Sequence, residues 1–275
     1  MSLKEEFKLM IAGLTETYRV PPITDIFLPS FSKGGQPKEA EFMALCLADG
    51  ATGISYVLVP DENEIDYKSL QPSNYIGQHP RKYALDFGSG DPIKEMVSLA
   101  AINAICQHVM GRIDFPVDSA TDSLGLLSVS AGDKLGMVGL FFPLIKRIKK
   151  ADADLVIIEK NEQLINQHPD LPITLDASQL NSCNKVLCTS TTILNNTLDH
   201  ILSHCAPDAL VSIIGPTAGY FPDPLFKQGV DVVGGRVVKD GQLFIQLLKA
   251  QKRWGEATRK VCFQKKTYEG FGFRD

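Results

Sequence analysis

Residues 133–159 constrain the fold of this chain most narrowly, because they carry the pattern of a βαβ unit. They read DKLGMVGLFFPLIKRIKKADADLVIIE. An apolar run over 135–141 leads into a helix that Pro143 can open, and a second apolar run over 155–158 ends on Glu159. Such units build Rossmann-like domains, whose ligands bind in the crevice outside the carboxyl ends of the strands. The class of site therefore follows from the sequence, whereas the reaction does not.

Further short apolar segments predict that this parallel sheet continues towards the carboxyl end of the chain. The predicted strands are 185–188, 209–214 and 230–233, and the predicted helices are about 192–204 and 242–253. Strands that are apolar throughout are typical of parallel sheets covered on both faces. The crossover between Glu159 and Lys185 contains Pro169 and Pro172 and no long amphipathic helix, which departs from a regular nucleotide-binding domain.

The first part of the chain predicts a smaller α+β domain. A helix over 3–18 and a strand over 23–28 precede two strands, 42–47 and 53–59, that flank Asp49-Gly50. This dipeptide indicates a hairpin turn, because glycine supplies positive φ. The polar stretch 112–133 has no helical period, and a domain boundary is expected there. The predicted domains are 1–118 and 119–275.

A long apolar helix is predicted after Asp91, which suits the N-cap, and Pro92, which suits the first helical position. Its apolar residues fall on more than one face, so the helix should be buried nearly all round. Asn103 lies within it, and a buried amide needs hydrogen-bond partners. It is either a satisfied structural amide or an amide that faces a cleft between the two domains.

The overall composition and net charge limit the kinds of molecule that this protein is expected to bind. The chain has 275 residues, 44% of them hydrophobic and 22% charged, so it can form a sizeable core. A net charge of −4 gives no electrostatic reason to expect nucleic acid or an anionic membrane as partner. No run approaches the roughly 18 apolar residues of a membrane helix. Six scattered cysteines and an acidic amino terminus are typical of a cytoplasmic protein with reduced thiols.

Small and hydroxyl residues follow several predicted strands and form the candidate ligand site. The third strand is followed by Thr189, Thr191 and Asn195, where a polar or anionic ligand could meet a helix N-terminus. The candidates after the fourth and fifth strands are Gly215, Pro216, Thr217 and Gly235. All should face the same crevice, since the carboxyl ends of parallel strands meet at one edge.

Two acids are further candidates. Glu159 ends the second strand, where Rossmann-like domains often place an acid on ribose hydroxyls, although a solvated carboxylate is an equal alternative. Asp231 lies just inside the last strand and is either a buried hydrogen-bonding acid or a ligand-facing carboxylate. The first βα turn is not GxGxxG, which argues against NAD or FAD.

Few residues have the spacing that is typical of protein ligands to a metal. Cys183 and Cys188 have no second pair at zinc-site spacing. His200 and His204 have the spacing that can share a metal, but they lie away from the apolar face of their predicted helix. We expect any metal to be borne by the substrate or held weakly by oxygen ligands such as Asp231 or Glu159. The sequence shows no GxSxG, HExxH or P-loop.

Several segments resemble a family of unknown function whose carboxy-terminal part is called the "putative heavy-metal chelation" domain. They are DKLGMVGLFFPL, CTSTTILNNTLDHIL, IIGPTAGYFPDPLF and GVDVVGGRVV, and LAAINAI resembles the end of the family's amino-terminal domain. The resemblance implies an enolase-amino-terminal-like α+β domain packed on an atypical Rossmann-like parallel-sheet domain, with a cleft between them. The cleft positions that it implies are Thr189, Thr191, Asn195, Gly215, Pro216, Thr217 and Gly235. Ala218 stands where a hydroxyl residue is expected.

Three functions stay open at this point. The leading hypothesis is that the protein binds a small anionic or metal-chelating metabolite in an interdomain cleft, with a role in heavy-metal chelation that the resemblance implies. The alternative is a transferase with a nucleotide-like cofactor such as S-adenosylmethionine. Glu159 would then bind the ribose of this cofactor. The third is a non-catalytic metal carrier. The expected partner is a small molecule or a metal complex.

Overall fold

The computed structural model describes residues 1–31, 41–116 and 127–270. The chain divides into two compact units. The first comprises Met1–Ser119, Pro216–Pro224 and Gly235–Val261, and the second comprises Ala120–Gly215, Leu225–Gly234 and Cys262–Asp275. The sequence predicted two continuous domains that meet after residue 118, a position outside the described residues. It did not predict that two later segments return to the first unit.

The first unit begins with helix α1 (Leu3–Thr17), which opens with a capping box between Ser2 and Glu5. Three strands follow, β1 (Ile23–Phe27), β2 (Phe42–Leu47) and β3 (Thr52–Tyr56). They form an antiparallel sheet in the order β1-β2-β3, and Gly50 has the positive φ that the turn between β2 and β3 requires. The predicted hairpin is confirmed.

Three helices follow in the first segment of this unit, Met1–Ser119. They are α2 (Glu64–Ser69), α3 (Arg81–Ala84) and α4 (Pro92–Arg112). The Asp91 carboxylate caps α4 by accepting hydrogen bonds from the backbone N–H groups of Ile93 and Lys94. Most of α4 is buried, as predicted. It lies so close to β3 that a Cβ on Gly53 would be 1.9 Å from the Ala100 carbonyl oxygen. A larger residue at position 53 would force the two elements apart.

The larger sheet has seven strands within the described ranges. They are β4 (Lys134–Val138), β5 (Asp154–Ile158), β6 (Ile173–Thr174), β7 (Lys185–Thr189), β8 (Leu210–Ile214), β9 (Val232–Val238) and β10 (Thr258–Gln264). Their order is β10-β9-β8-β7-β4-β5-β6, and the neighbours from β9 to β6 pair in parallel. The protein is thus a mixed α/β structure with a mainly parallel sheet, as the apolar strands predicted.

Six helices follow the first strand of this sheet in the described part of the chain: α5 (Phe142–Lys150), α6 (Glu162–Gln167), α7 (Thr191–Leu194), α8 (Leu198–His204), α9 (Asp223–Lys227) and α10 (Gly241–Lys249). The prediction of one helix over about 192–204 is wrong. The chain breaks it into α7 and α8, and Asn196 adopts a left-handed φ of 56° at the break. Asparagine tolerates this conformation better than most residues, so the Asn195-Asn196 pair marks the break.

The predicted bounds of the strand that the structure shows as β9 also need correction. Gly235 was expected to follow a strand over 230–233, but β9 runs through it to Val238. Asp231 was placed inside this strand, whereas it precedes Val232, the first residue of β9. In the described residues, no helix is both long and apolar enough to cross a membrane.

Candidate functional site

Four neighbouring strands of the second unit end in a row of candidate residues. Glu159, Gly139, Thr189 and Gly215 directly follow or end β5, β4, β7 and β8, which are adjacent in that order. Parallel strands lie about 4.8 Å apart, so this row extends over roughly 14 Å. We call these four residues and Thr191 the carboxyl-edge row. The structure therefore brings together the predicted candidates Glu159, Thr189, Thr191 and Gly215.

The two threonines of the row form a hydroxyl pair. The Oγ1 atoms of Thr189 and Thr191 are 2.9 Å apart, and the backbone N–H of Thr191 donates to Thr189 Oγ1 at 3.3 Å. Both residues are half-buried. Helix α7 has only four residues, so few aligned peptide dipoles support the expected anion site at a helix N-terminus. The hydroxyl groups themselves are the polar feature at this position.

Asn195 forms hydrogen bonds with neighbouring residues of the chain, between α7 and α8. The hydroxyl of Thr197 donates a hydrogen bond to the Asn195 side-chain oxygen, and the backbone N–H of Asn195 donates to the Thr191 carbonyl at 3.1 Å. Asn195 is half-buried. These contacts stabilise the break between α7 and α8, and the proposed contact of Asn195 with a ligand stays a prediction.

The glycines of the row allow close packing at the strand ends. A Cβ on Gly139, whose φ is +87°, would lie 3.1 Å from Thr189 Cγ2. A Cβ on Gly215 would lie 1.9 Å from the Ser190 hydroxyl oxygen. Ser190 is buried, so the space beside Gly215 is occupied by its side chain. These glycines are thus explained by packing against Thr189 at the end of β7 and against Ser190, which follows it.

The two candidate acids lie at different edges of the sheet. Glu159 Oε1 accepts hydrogen bonds from the backbone N–H groups of Lys160 at 2.7 Å and Asn161 at 3.3 Å, which fixes the turn after β5. Asp231 lies at the amino end of β9, and its Oδ2 accepts a hydrogen bond from the Val211 N–H at 2.9 Å. The structure does not bring Asp231 to the carboxyl-edge row, because it lies at the amino edge of the same strands. It supports the hydrogen-bonding alternative for Asp231.

The remaining candidates lie in the first unit. Asn103 is buried, and its Nδ2 donates to the carbonyl oxygens of Ile54 and Thr217, both at 2.8 Å. Its Oδ1 is buried and has no hydrogen-bond partner in the described residues. These bonds support the structural alternative, in which the amide ties α4 to β3 and to the segment that begins at Pro216, a half-buried residue. A Cβ on Gly235 would lie 1.9 Å from the Ala218 carbonyl oxygen, so this glycine also permits close backbone packing.

Cysteine and histidine do not form a metal centre in the described part of the chain. No group of three or more His, Cys, Asp or Glu side chains there is arranged to hold a metal ion. The ring centroids of His200 and His204 are 4.5 Å apart, and His204 Nδ1 is 2.8 Å from the His200 carbonyl oxygen. Burial raises the pKa of the Cys188 thiol to about 12, although a hydrogen bond with Thr192 lowers it in part.

The sequence analysis missed a pair of side chains in the first unit. His108 Nδ1 lies 2.5 Å from Asp49 Oδ2, and the His108 side chain is only 6% exposed. The two residues are 59 positions apart, and Asp49 was interpreted only as part of a turn. The signal in the sequence was a histidine in the mostly apolar second half of the helix, followed one turn later by Arg112. The pair lines two surface cavities of about 1080 and 750 Å³.

The fold and the carboxyl-edge row define an α/β protein with a candidate ligand site at the end of a parallel sheet. The sequence model of the DUF364 family, described as "Putative heavy-metal chelation", matches residues 122–266. The chain belongs to this family. The match covers the strands of the candidate row.

The chain is also similar to individual proteins. The protein MJ0500 of Methanocaldococcus jannaschii is 28% identical over 140 residues, which are 50% of this chain and 52% of that protein. The chain thus spans about half the length of this curated relative. A DUF364 protein of Pyrococcus horikoshii has a TM-score of 0.71 at 17% identity, and the alignment covers 96% of this chain and 100% of that chain. A DUF364 protein of Desulfitobacterium hafniense has a TM-score of 0.70 at 21% identity, covering 96% and 98%. These two structures share the fold.

Proposed function

We propose that the protein binds a small anionic or metal-chelating metabolite at the carboxyl-edge row. The observation that carries the proposal is the Thr189–Thr191 hydroxyl pair, whose oxygens are 2.9 Å apart at the carboxyl end of β7, beside the carboxyl ends of the parallel strands β4 and β8. Parallel α/β sheets bind ligands in the crevice beyond these ends. The family's description as "Putative heavy-metal chelation" is consistent with a coarse role in metal chelation.

The chemistry of the row favours a ligand that carries its own oxygen or nitrogen donors. Threonine hydroxyls can donate to an anionic oxygen and accept from a ligand N–H or O–H group. Cysteine contributes little here, because Cys188, the neighbour of Thr189, is fully buried and its pKa is raised to about 12 by burial. A metal would therefore arrive as a complex with the metabolite, or be held weakly through oxygen atoms. The location of the ligand in a cleft between two domains stays a prediction.

Calorimetric titration and thermal unfolding test this proposal. The probes are iminodiacetate, its zinc and nickel complexes, and the free metal ions. We expect iminodiacetate or its metal complex to raise the melting temperature, because a ligand selective for the folded state stabilises by about 2.7 kcal/mol at 100 times Kd. Thr191→Val should weaken binding at least tenfold. Thr267→Val is the matched control, since Thr267 is exposed in the same unit.

Two results would contradict the proposal. The first is the absence of a shift with every chelator and complex in the wild-type protein. The second is equal binding by the wild type and Thr191→Val, which would place the ligand elsewhere. Tight binding of a free metal ion that Thr191→Val does not weaken would favour the metal-carrier hypothesis instead.

A transferase with a nucleotide-like cofactor is the second candidate. One observation favours it: Glu159 directly follows β5, the neighbour of β4, where an acid can bind ribose hydroxyls. S-adenosylmethionine and its demethylated product should then raise the melting temperature, and Glu159→Gln should reduce that shift. Glutamine keeps an oxygen that can accept from Lys160 and Asn161, so the turn should persist. An unchanged melting temperature with both nucleosides argues against this function.

A further inference from the structure

A surface cavity of about 750 Å³ in the first unit combines positive charge with a buried histidine. It lies beside the last turn of α1 and the last turns of α4. The titratable side chains that line it include Arg19, Arg112, His79, His108 and Asp49, and we call it the arginine cavity. All five belong to Met1–Ser119, which is part of a single compact unit.

The Asp49–His108 pair lines part of this cavity. Asp49 lies in the turn between β2 and β3, where its Oδ1 accepts a hydrogen bond from the Ala51 N–H at 3.2 Å. Its Oδ2 is 2.5 Å from His108 Nδ1. Because a carboxylate can only accept, the shared proton belongs on Nδ1 and the neutral imidazole has its lone pair on Nε2. Both oxygens of Asp49 are thus engaged with the protein.

One ring nitrogen of His108 has no hydrogen-bond partner among the residues that the structure describes. The side chain is 6% exposed, and Nε2 is buried without a hydrogen-bond partner in the described ranges. A buried polar atom that lacks a partner destabilises the folded state, because it has lost its hydrogen bonds to water. A ligand hydroxyl that donates to Nε2, directly or through a bound water, removes this destabilisation. The histidine therefore favours a ligand with a hydroxyl or a similar donor.

The two arginines specify the charge of that ligand. Arg112 follows His108 by one helical turn in α4, so the two side chains share a face of the helix. Arg19 lies in the segment just beyond the end of α1 and lines the same cavity. Guanidinium groups bind carboxylate and phosphate through paired hydrogen bonds. His79 adds a further donor: its Nδ1 accepts from the Arg81 N–H at 3.1 Å, so a neutral ring carries its proton on Nε2.

We propose that the arginine cavity is a second binding site, which takes a small hydroxylated anion. The carboxylate or phosphate of the ligand contacts Arg19 and Arg112, and its hydroxyl donates to His108 Nε2. This site is separate from the carboxyl-edge row, whose residues lie in the second unit. The proposal does not depend on the function proposed for that row.

Calorimetric titration with matched probes tests the proposal on the full chain. Malate and succinate differ by one hydroxyl group, and glycerol phosphate replaces the carboxylates with phosphate. We expect malate, glycerol phosphate or both to bind, and malate to bind at least tenfold more tightly than succinate if carboxylate is the preferred anion. Arg112→Ala should weaken binding of the preferred probe at least tenfold. Arg253→Ala is the control, because Arg253 is exposed in the same unit.

The hydroxyl contact needs its own readout. Nitrogen-15 spectra of the histidine rings report which nitrogen carries a proton and whether a ligand contacts it, and the chain has five histidines. Single variants of the other four, which are His79, His168, His200 and His204, assign the His108 signal in the folded wild type. We expect the preferred probe to shift the Nε2 signal of His108. Thr191→Val should leave this binding unchanged, which separates it from the carboxyl-edge row.

Each opposite result overturns the proposal. These results are no binding of malate or glycerol phosphate, equal binding by the wild type and Arg112→Ala, or a His108 Nε2 signal that the bound probe does not shift. Binding that Thr191→Val abolishes and Arg112→Ala preserves also overturns it, while supporting the carboxyl-edge row. Arg112 is exposed, so its variant should fold and keep the test decisive.

Discussion

Asp133 and Lys185 form a nearly buried ion pair at the amino edge of the parallel sheet. Lys185 Nζ lies 2.7 Å from Asp133 Oδ2, and the side chains are 14% and 11% exposed respectively. Asp133 also accepts hydrogen bonds from Asn184 Nδ2 at 2.8 Å and from the Ser130 N–H at 2.7 Å. The pair joins the segment before β4 to the start of β7. It should therefore stabilise the second unit.

Replacing Asp133 with asparagine should lower the free energy of unfolding by about 2–3 kcal/mol at pH 7, because it leaves Lys185 without its carboxylate. Burial would raise the pKa of Asp133, but the hydrogen bonds from Lys185, Asn184 and Ser130 hold it well below its usual range. A lowered folded-state pKa gives stability that is present above the unfolded pKa of about 3.9 and is lost as pH falls through the folded value.

Urea denaturation at pH 7 and at pH 3 checks this prediction. The difference between the wild type and Asp133→Asn should shrink at the lower pH. Asp154→Asn is the control, since Asp154 is exposed at the same edge of the sheet. A difference that does not change with pH would mean that the carboxylate charge is not the cause.

Alanine at Gly235 should destabilise the protein more than alanine at Gly215. The obstacle at Gly235 is the Ala218 backbone carbonyl, 1.9 Å from the added Cβ, whereas at Gly215 it is the Ser190 hydroxyl at the same 1.9 Å. A hydroxyl can rotate away, but a backbone carbonyl moves only with its segment. We expect a loss of about 3 kcal/mol or more for Gly235→Ala and about 1–2 kcal/mol for Gly215→Ala.

Equilibrium unfolding of the two variants measures this difference, and Gly111→Ala provides the control. Gly111 lies in helix α4, and no atom of the described residues lies within 4 Å of its added Cβ, so alanine there should raise stability by up to about 1 kcal/mol. If Gly215→Ala proves the more damaging variant, the packing described for the two glycines is incorrect.

Asn103→Leu should lower the free energy of unfolding by about 2–3 kcal/mol. The change removes the donors to the carbonyls of Ile54 and Thr217, and a buried acceptor without a partner is costly. Asn103→Asp should also destabilise at pH 7, because a buried carboxylate would face these carbonyls. Burial should raise the pKa of that new acid, so its effect should diminish as pH falls from 7 towards 5.

Chemical denaturation across this pH range tests the role of Asn103. Asn161→Asp is a suitable control, because Asn161 is exposed and caps α6, a position where aspartate serves equally well. A stable Asn103→Leu protein would show that the amide is not needed for folding. Its interpretation as a ligand-facing group would then gain weight.

The cysteines should react slowly in the folded protein and should not hold a structural metal. Burial raises the pKa of Cys46 to about 11 and of Cys106 to about 12. Thiolate is both the nucleophile and the metal ligand, so a raised pKa opposes both reactions. Thiol titration at pH 8 should therefore be slow without denaturant and should reach six groups with it.

Metal analysis and unfolding in the presence of a chelator complete this test. We expect no stoichiometric zinc that resists chelation, and we expect an unchanged unfolding transition with the chelator. Retained zinc whose removal unfolds the protein would contradict the prediction, since a structural zinc site contributes folding energy directly.

The sequence predicted the parallel sheet because its signals are local. The apolar runs before Gly139 and Glu159 and the Pro143 helix start need no distant contact to be recognised, and β4, α5 and β5 lie where those signals indicate. Asp49-Gly50 and Asp91-Pro92 likewise specified a turn and a helix start from their own backbone preferences. The helix over 192–204 was wrong because the break at Asn196 depends on one left-handed residue.

By itself, the sequence determined the α/β class, the parallel strands and the polar residues that end them, since burial period and turn chemistry are properties of neighbouring residues. Tertiary structure decided which of those residues meet. Strand order placed Thr189 and Gly215 side by side, and close packing gave Gly235 a structural role. The start of β9 at Val232 left Asp231 at the opposite edge of the sheet. Only folding brought His108 to Asp49, because a contact between residues 59 positions apart depends on how α4 packs against the β2–β3 hairpin.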